Sequence, residues 1–176
     1  MAETGAVPDS AEVADRLAIM EVLAMHSRGI DRANTEMLKS CYWPDAEVDY
    51  GGYKGPAHAF CEGLPAGIKR YRNTQHQISN THMEFRDGTA MVETYVTAHH
   101  YLAGENGDDT EMTYIGRYLD RMEKRSNVWK ISHRQIVMTW HQYGPATGDE
   151  EANPSLKPIS RATHGTDDPL FEFLDN

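Results

Sequence analysis

Apolar and polar positions alternate in two different rhythms along the chain, and the change between them predicts the fold. The first rhythm is helical. Val13, Leu17, Met20, Leu23 and Ala24 recur at helical spacing, with Ile19 and Val22 widening the face. Ser10 or Asp9 can cap this helix, and Glu12 and Asp15 lie near its positive end. It is expected to run to about His26-Ser27-Arg28-Gly29. A short second helix is expected from Thr35 to Cys41, capped by Asn34 or Thr35 and stopped by Pro44. Ala46 to Tyr50 reads as a strand closed by Gly51-Gly52. Gly55-Pro56 opens a third helix through Ala57, Phe60 and Leu64, disturbed by Pro65 and Gly67.

The second rhythm is that of long strands. They are expected over Asn73–Phe85, Thr89–Ala103, Glu111–Lys124 and Val128–Gln142. Asp87-Gly88 and Ser126-Asn127 mark tight turns, and a polar, Gly-rich loop from Gly104 joins the middle pair. Three helices, one early strand and a four-strand antiparallel meander predict an α+β fold. A strongly curved antiparallel sheet then wraps around the N-terminal helices and leaves a pocket between them.

Composition narrows the function classes. The 176 residues suit one domain with a core. Their net charge of -10 argues against nucleic acid as a partner, because phosphate binding needs basic stripes. No apolar run approaches the ~20 residues of a membrane span, and the N-terminus lacks the pattern of a signal peptide. Cys41 and Cys61 form no CxxC pair, so reduced thiols in a cytoplasmic protein are expected. The charge is uneven. Residues 144–176 hold seven acidic and two basic residues, half of the net charge, and four prolines. The chain therefore divides into a domain over 9–143 and an acidic tail over 144–176. The tail is expected to lack regular structure, or to dock its Leu170–Leu174 patch on a neighbouring subunit.

Nine histidines prompt a search for chemistry. His76 lies in the first long strand, where Ile78, Asn80 and His82 share its face at period two. Asp31 follows the first helix, where a turn or surface ion pair would also explain it. If the two meet, the carboxylate holds one ring N–H and leaves the other nitrogen as a general base. Arg134 could stabilise developing negative charge. Strict alternation, however, groups Trp129, Ile131 and His133 on one face and sends Arg134 to the other unless a bulge intervenes. His26, Trp43, Tyr50, Tyr95 and His100 are further candidates for the pocket wall, and His26, His100 or Tyr95 for a general acid. No HExxH or HxH pair occurs, so no metal site is expected. Nucleotide-binding glycine motifs and a GxSxG elbow are likewise missing.

Several stretches together resemble the SnoaL-like branch of the nuclear-transport-factor-2-like superfamily. They are Gly29-Ile30-Asp31-Arg32, Trp43-Pro44-Asp45-Ala46, Tyr53-Lys54-Gly55-Pro56, His76 in its strand, and Val128 to Arg134. The likeness spans about Ala11 to His141. It is nearest to the dehydrochlorinases of that branch and more distant from its dehydratases. It implies a cone-shaped α+β barrel, and catalysis without metal or organic cofactor. The family's Asp, His and Arg fall on Asp31, His76 and Arg134, and a family Lys beside the pocket falls near His26. The implied activity is a lyase reaction, β-elimination from a small, largely apolar cyclic substrate. A ketosteroid-isomerase-like or polyketide-cyclase activity is an alternative. So is a non-catalytic binding module, or the small subunit of an aromatic-ring dioxygenase. The resemblance also implies a homo-oligomer, a trimer rather than a dimer, with Tyr101, Tyr114, Tyr118 and Met122 as candidate contacts.

Overall fold

The computed structural model describes residues 4–105, 107–147 and 154–176. Helix α1 spans Ser10–Asp31, with Asp9 as its cap: Oδ1 accepts from the Glu12 N–H at 2.8 Å. Helix α2 is Thr35–Ser40, capped by Asn34. Strand β1 (Tyr42–Asp49) and a short β2 (Lys54–Pro56) lead into α3 (Ala57–Ile68), which runs through Pro65. The meander follows as β3 (Asn73–Arg86), β4 (Thr89–Leu102), β5 (Thr110–Arg125) and β6 (Val128–Pro145). Both tight turns have two central residues at positive φ: Asp87 and Gly88, then Ser126 and Asn127. That backbone twist matches the twist of paired strands.

The sheet has six strands in the order β2-β1-β6-β5-β4-β3. It is mixed, because β1 lies parallel to β6, and it is curved but not closed into a barrel. Its concave side covers the helices. Ile19, Leu23 and Ile30 of α1 join Leu38, Tyr42, Ala57, Met83, Val92, Met122 and Ile131 in one core. Burying each large aliphatic side chain contributes about 1.5–3 kcal/mol. Gly29 permits the approach of α2: a Cβ there would stand 3.1 Å from the Leu38 side chain and backbone nitrogen. Asp15 ties α1 to the far end of the sheet, accepting from Lys124 Nζ at 2.7 Å and Trp129 Nε1 at 2.9 Å. No helix among the described residues is long and apolar enough to cross a membrane.

Two expectations are corrected here. The inward face of α1 is Ile19, Leu23, His26, Ser27 and Ile30, while Val13, Leu17 and Met20 are exposed at 43%, 67% and 36%. The two stripes are centred about 100° apart around the helix. Leu23 and Ile19 of the expected face do point inward, but the inward face also carries polar residues, so apolar periodicity places its centre too far toward Leu17. Tyr118 and Met122, read as surface contacts, are buried in the concave side of β5.

Irregular pairing decides which side chains face inward. Arg121 opposes His133 and Met122 opposes Ile131, so Ser132 is an extra residue in β6. This bulge shifts the alternation, and Ile131 and Arg134 both point inward. A second irregularity, between Ile78 and Thr81 in β3, does the opposite for the expected His76 face. Met83 turns inward after it, and the His82 side chain is 74% exposed rather than aligned with His76.

Among the described residues beyond Pro145, the chain forms two short 3-10 turns and a helix α4 (Pro169–Leu174). Residues 162–168 pack back on the body rather than extending away, and Phe173 and Leu174 of the apolar patch are exposed. Asp149, Glu150 and Glu151 of the acidic tail, Asn106, and the first three residues lie outside the described residues.

Candidate active site

Asp31 is the last residue of α1, the negative end of the helix dipole, where a carboxylate is disfavoured. Three donors offset that cost. Oδ1 accepts from Thr74 Oγ1 at 3.0 Å and faces His76 Nδ1 at 2.8 Å, while Oδ2 accepts from the His76 backbone N–H at 3.0 Å. The Asp31 and His76 side chains are 13% and 8% exposed. Asp31 is therefore neither a cap nor part of a surface ion pair. An ionised carboxylate only accepts, so Nδ1 carries the proton and Nε2 of a neutral His76 keeps its lone pair. The His100 ring meets His76 edge-on at 5.4 Å between centroids. Burial, then the neighbouring His76 ring, holds His100 down to about 4, so it is neutral at neutral pH. A groove of about 750 Å³ reaches Asp31, Thr74 and His100, bordered by Arg72, Thr113 and Thr163. His76 does not line that groove.

A second polar group lies deeper. Arg134 is fully buried. Its Nε and Nη2 each donate to the Asp120 carboxylate at 2.7 Å, and its guanidinium lies 4.1 Å over the Tyr118 ring. Nη1 donates to His26 Nδ1 at 2.9 Å, and His26 Nε2 faces the Tyr42 hydroxyl at 2.9 Å. Arginine has no acceptor, so Nδ1 must accept and His26 is the neutral Nε2–H tautomer. Burial, then Arg134 and His76, pushes His26 well below the usual imidazole range. His26 thus holds Arg134 in place and has no spare proton for a substrate. Tyr50 stacks on Phe60 at 4.3 Å. Its hydroxyl is buried without a hydrogen-bond partner among the described residues, as are Tyr114 Oη and His100 Nδ1. Burial raises Tyr50, so it keeps its proton, with Arg134 acting against that rise.

The structure thus brings His76, Asp31 and His100 together. It also joins Arg134 to His26, with Tyr50 within the electrostatic reach of Arg134. Two expected wall residues are elsewhere. Trp43 is half-buried and packs on the core from its edge: its Nε1 donates to the Glu123 carbonyl at 3.0 Å and its ring lies under Arg125. Its neighbour Tyr42 takes the inward position in β1 instead. Tyr95 stands on the outer face of β4, 45% exposed, between inward-facing Thr94 and Val96. Sequence reasoning missed Thr74, Tyr42 and Asp120. Asp120 sits directly opposite Arg134 across β5 and β6, so register counted from the Ser126-Asn127 turn, with the bulge, could have found it. Among the described residues no group of three or more His, Cys, Asp or Glu side chains is arranged to hold a metal ion.

Residues 11–135 match the SnoaL-like domain family. The chain belongs to that family. This SnoaL-like protein is 26% identical over 151 residues to hexachlorocyclohexane dehydrochlorinase 1 of Sphingobium indicum, which covers 83% of this chain and 94% of that one. Among solved structures it is similar to the hexachlorocyclohexane dehydrochlorinase LinA-type3 of Novosphingobium barchaimii. The two are 24% identical, with a TM-score of 0.65, over 81% of this chain and 97% of the other. It is also similar to the Kfla4162 protein of Kribbella flavida, 18% identical with a TM-score of 0.67, over 74% and 95% of the two chains. The structural likenesses bear on the fold. The dehydrochlorinase similarity supports an enzyme of lyase type.

Proposed function

We propose that this SnoaL-like protein is a lyase that eliminates a leaving group from a small, largely apolar cyclic molecule, with His76 as general base. The observation that carries the reading is the 2.8 Å contact of Asp31 with His76 Nδ1, which leaves Nε2 as the basic nitrogen. In the proposed step Nε2 takes a proton from a carbon of the substrate. The C–H electron pair forms a new double bond to the neighbouring carbon, and the leaving group departs from that carbon with its own pair. The imidazolium formed is stabilised by Asp31, whose two oxygens are already held by Thr74 and the His76 main chain. Arg134 is the proposed source of positive charge that favours the departing anion. Three of its five N–H groups are taken by Asp120 and His26, so its orientation is set before substrate binds. His26 and His100 are both held neutral. The protonated Tyr50 hydroxyl, unpartnered among the described residues and in the electrostatic reach of Arg134, is the proposed donor to a leaving hydroxide or halide.

The test is a panel of ring halides and ring alcohols, assayed for release of halide or water. His76→Ala and Asp31→Ala are expected to lower turnover of a found substrate by about 10²–10⁴-fold, the usual contribution of a positioned base, with the far-UV spectrum unchanged. Unchanged turnover in His76→Ala overturns the mechanism. A His76-dependent exchange of substrate protons without loss of any group would move the activity to isomerisation.

A further inference from the structure

The return of the C-terminal segment to the end of α1 rests on an unusual histidine. The Gly165 N–H donates to the Arg32 carbonyl at 2.8 Å, and Arg32 Nε meets the Asp168 carboxylate at 3.0 Å. Asp168 is buried and accepts from the Thr163 and Leu170 N–H groups at 2.9 and 3.0 Å, which fixes the loop between them. The His164 ring then reaches across. Its Nδ1 lies 2.9 Å from the Asp31 carbonyl oxygen and its Nε2 lies 3.0 Å from the Tyr71 carbonyl oxygen. Main-chain carbonyls only accept. A neutral imidazole has one N–H and one lone pair, so one of these contacts would set lone pair against lone pair. Both bonds form together only when the ring is an imidazolium. His26 shows the reverse requirement, since its Arg134 partner only donates.

We infer that His164 is a charged clamp: when protonated, it ties the C-terminal segment to Asp31 and Tyr71, and so holds Ser160–Thr163 as one wall of the groove beside the Asp31–His76 pair. Those residues line the groove of about 750 Å³. The surroundings act on the ring in both directions. Asp31 and Glu111 among the groove residues, and Asp168 in its own loop, favour the charged form. Arg32, Arg72 and Arg161 oppose it, and His99 and His100 would do so if protonated. Imidazole is the side chain whose charge changes in the neutral range, so the wall closes as pH falls and loosens as pH rises. His164 touches only main chain of the site, which makes it a positioning residue. Its effect on turnover rests on the reading of Asp31 and His76 above, whereas the docking does not.

The experiment follows amide exchange of the full chain at about pH 5.5 and about pH 8.5, either side of the imidazole range, as protection factors that remove the intrinsic pH effect. The Gly165 amide is expected to lose at least about tenfold in protection at the higher pH, the scale of one charge-assisted bond. His164→Gln, which keeps a single donor group, is expected to be poorly protected at both, with β4 and β5 unchanged as the control for folding. Nitrogen chemical shifts of the ring in the wild-type protein supply a second measurement: the docked form is expected to show two protonated ring nitrogens. Full protection at the higher pH, or a neutral ring in the protected state, overturns the clamp. With a substrate in hand, the wild-type KM is expected to rise with pH and that dependence to vanish in His164→Gln. The two readings fail separately: pH-independent protection refutes the clamp and leaves the site, whereas full activity of His76→Ala refutes the site and leaves the clamp.

Discussion

Removing the Asp120 carboxylate is the sharpest test of how the interior is held. Asp120 and Arg134 face each other across β5 and β6, 1% and 0% exposed, with two hydrogen bonds of 2.7 Å between them. Asp120→Ala leaves the Arg134 guanidinium desolvated, with only His26 as a remaining acceptor. Breaking a buried pair from one side costs about 3–5 kcal/mol, because a charge stays behind without its partner. Set against a total stability of ~5–15 kcal/mol, that is a large fraction. The corresponding fall in Tm is about 6–20 °C for a chain of this size. Urea unfolding followed by far-UV circular dichroism measures it. The double variant Asp120→Leu with Arg134→Met is expected to recover most of the loss, since apolar residues of similar volume often replace a buried pair at little cost. It would fall short by about 1 kcal/mol, the donor that His26 loses. The reasoning is refuted if Asp120→Ala costs less than about 1 kcal/mol, or if the double variant loses the sum of its single variants.

Two further outcomes follow from buried titratable groups. His26 and His100 are both held below the ordinary imidazole range, His100 at about 4, so the unfolded chain takes up protons first. Stability is then full above about pH 7 and falls as pH drops toward about 4, by about 2 kcal/mol for His100 after solvent screening of its partly exposed ring. Calorimetry across that window checks it in a His164→Gln background, because the clamp works in the opposite sense; a flat profile refutes it. Burial pushes the Cys41 thiol up to about 11 and Cys61 up to about 12, and neither is in a disulfide. Both are expected to resist a thiol reagent at about pH 8 in the native state and to react in urea, and rapid labelling of the folded protein would contradict their environment.

Much of the fold was legible because its signals are local. Asp9 and Asn34 cap their helices, and Asp87-Gly88 and Ser126-Asn127 turn the chain with both central residues at positive φ. The four long strands fall within a few residues of where alternation places them. Turn geometry and backbone periodicity depend on neighbours in sequence, so a sequence can state them. The Asp31–His76 pair of the site was legible in the same measure. Asp31 and His76 were candidates by residue type and by family likeness, and they do meet.

What tertiary structure alone decided concerns orientation and company. The extra residue at Ser132 turns Arg134 inward, and the irregularity after Ile78 turns His82 outward; alternation is a rule of ideal strands, and a bulge breaks it without a sequence mark. The inward face of α1 could be read only in part from apolar spacing: Ile19 and Leu23 belong to it, but it also carries His26 and Ser27 toward a polar interior. Two histidines of identical chemistry were given opposite charge requirements, His26 by a partner that only donates and His164 by two that only accept. Those partners lie 108, 133 and 93 positions away along the chain. A protonation state depends on which atoms surround a ring, and only the folded chain brings those atoms together.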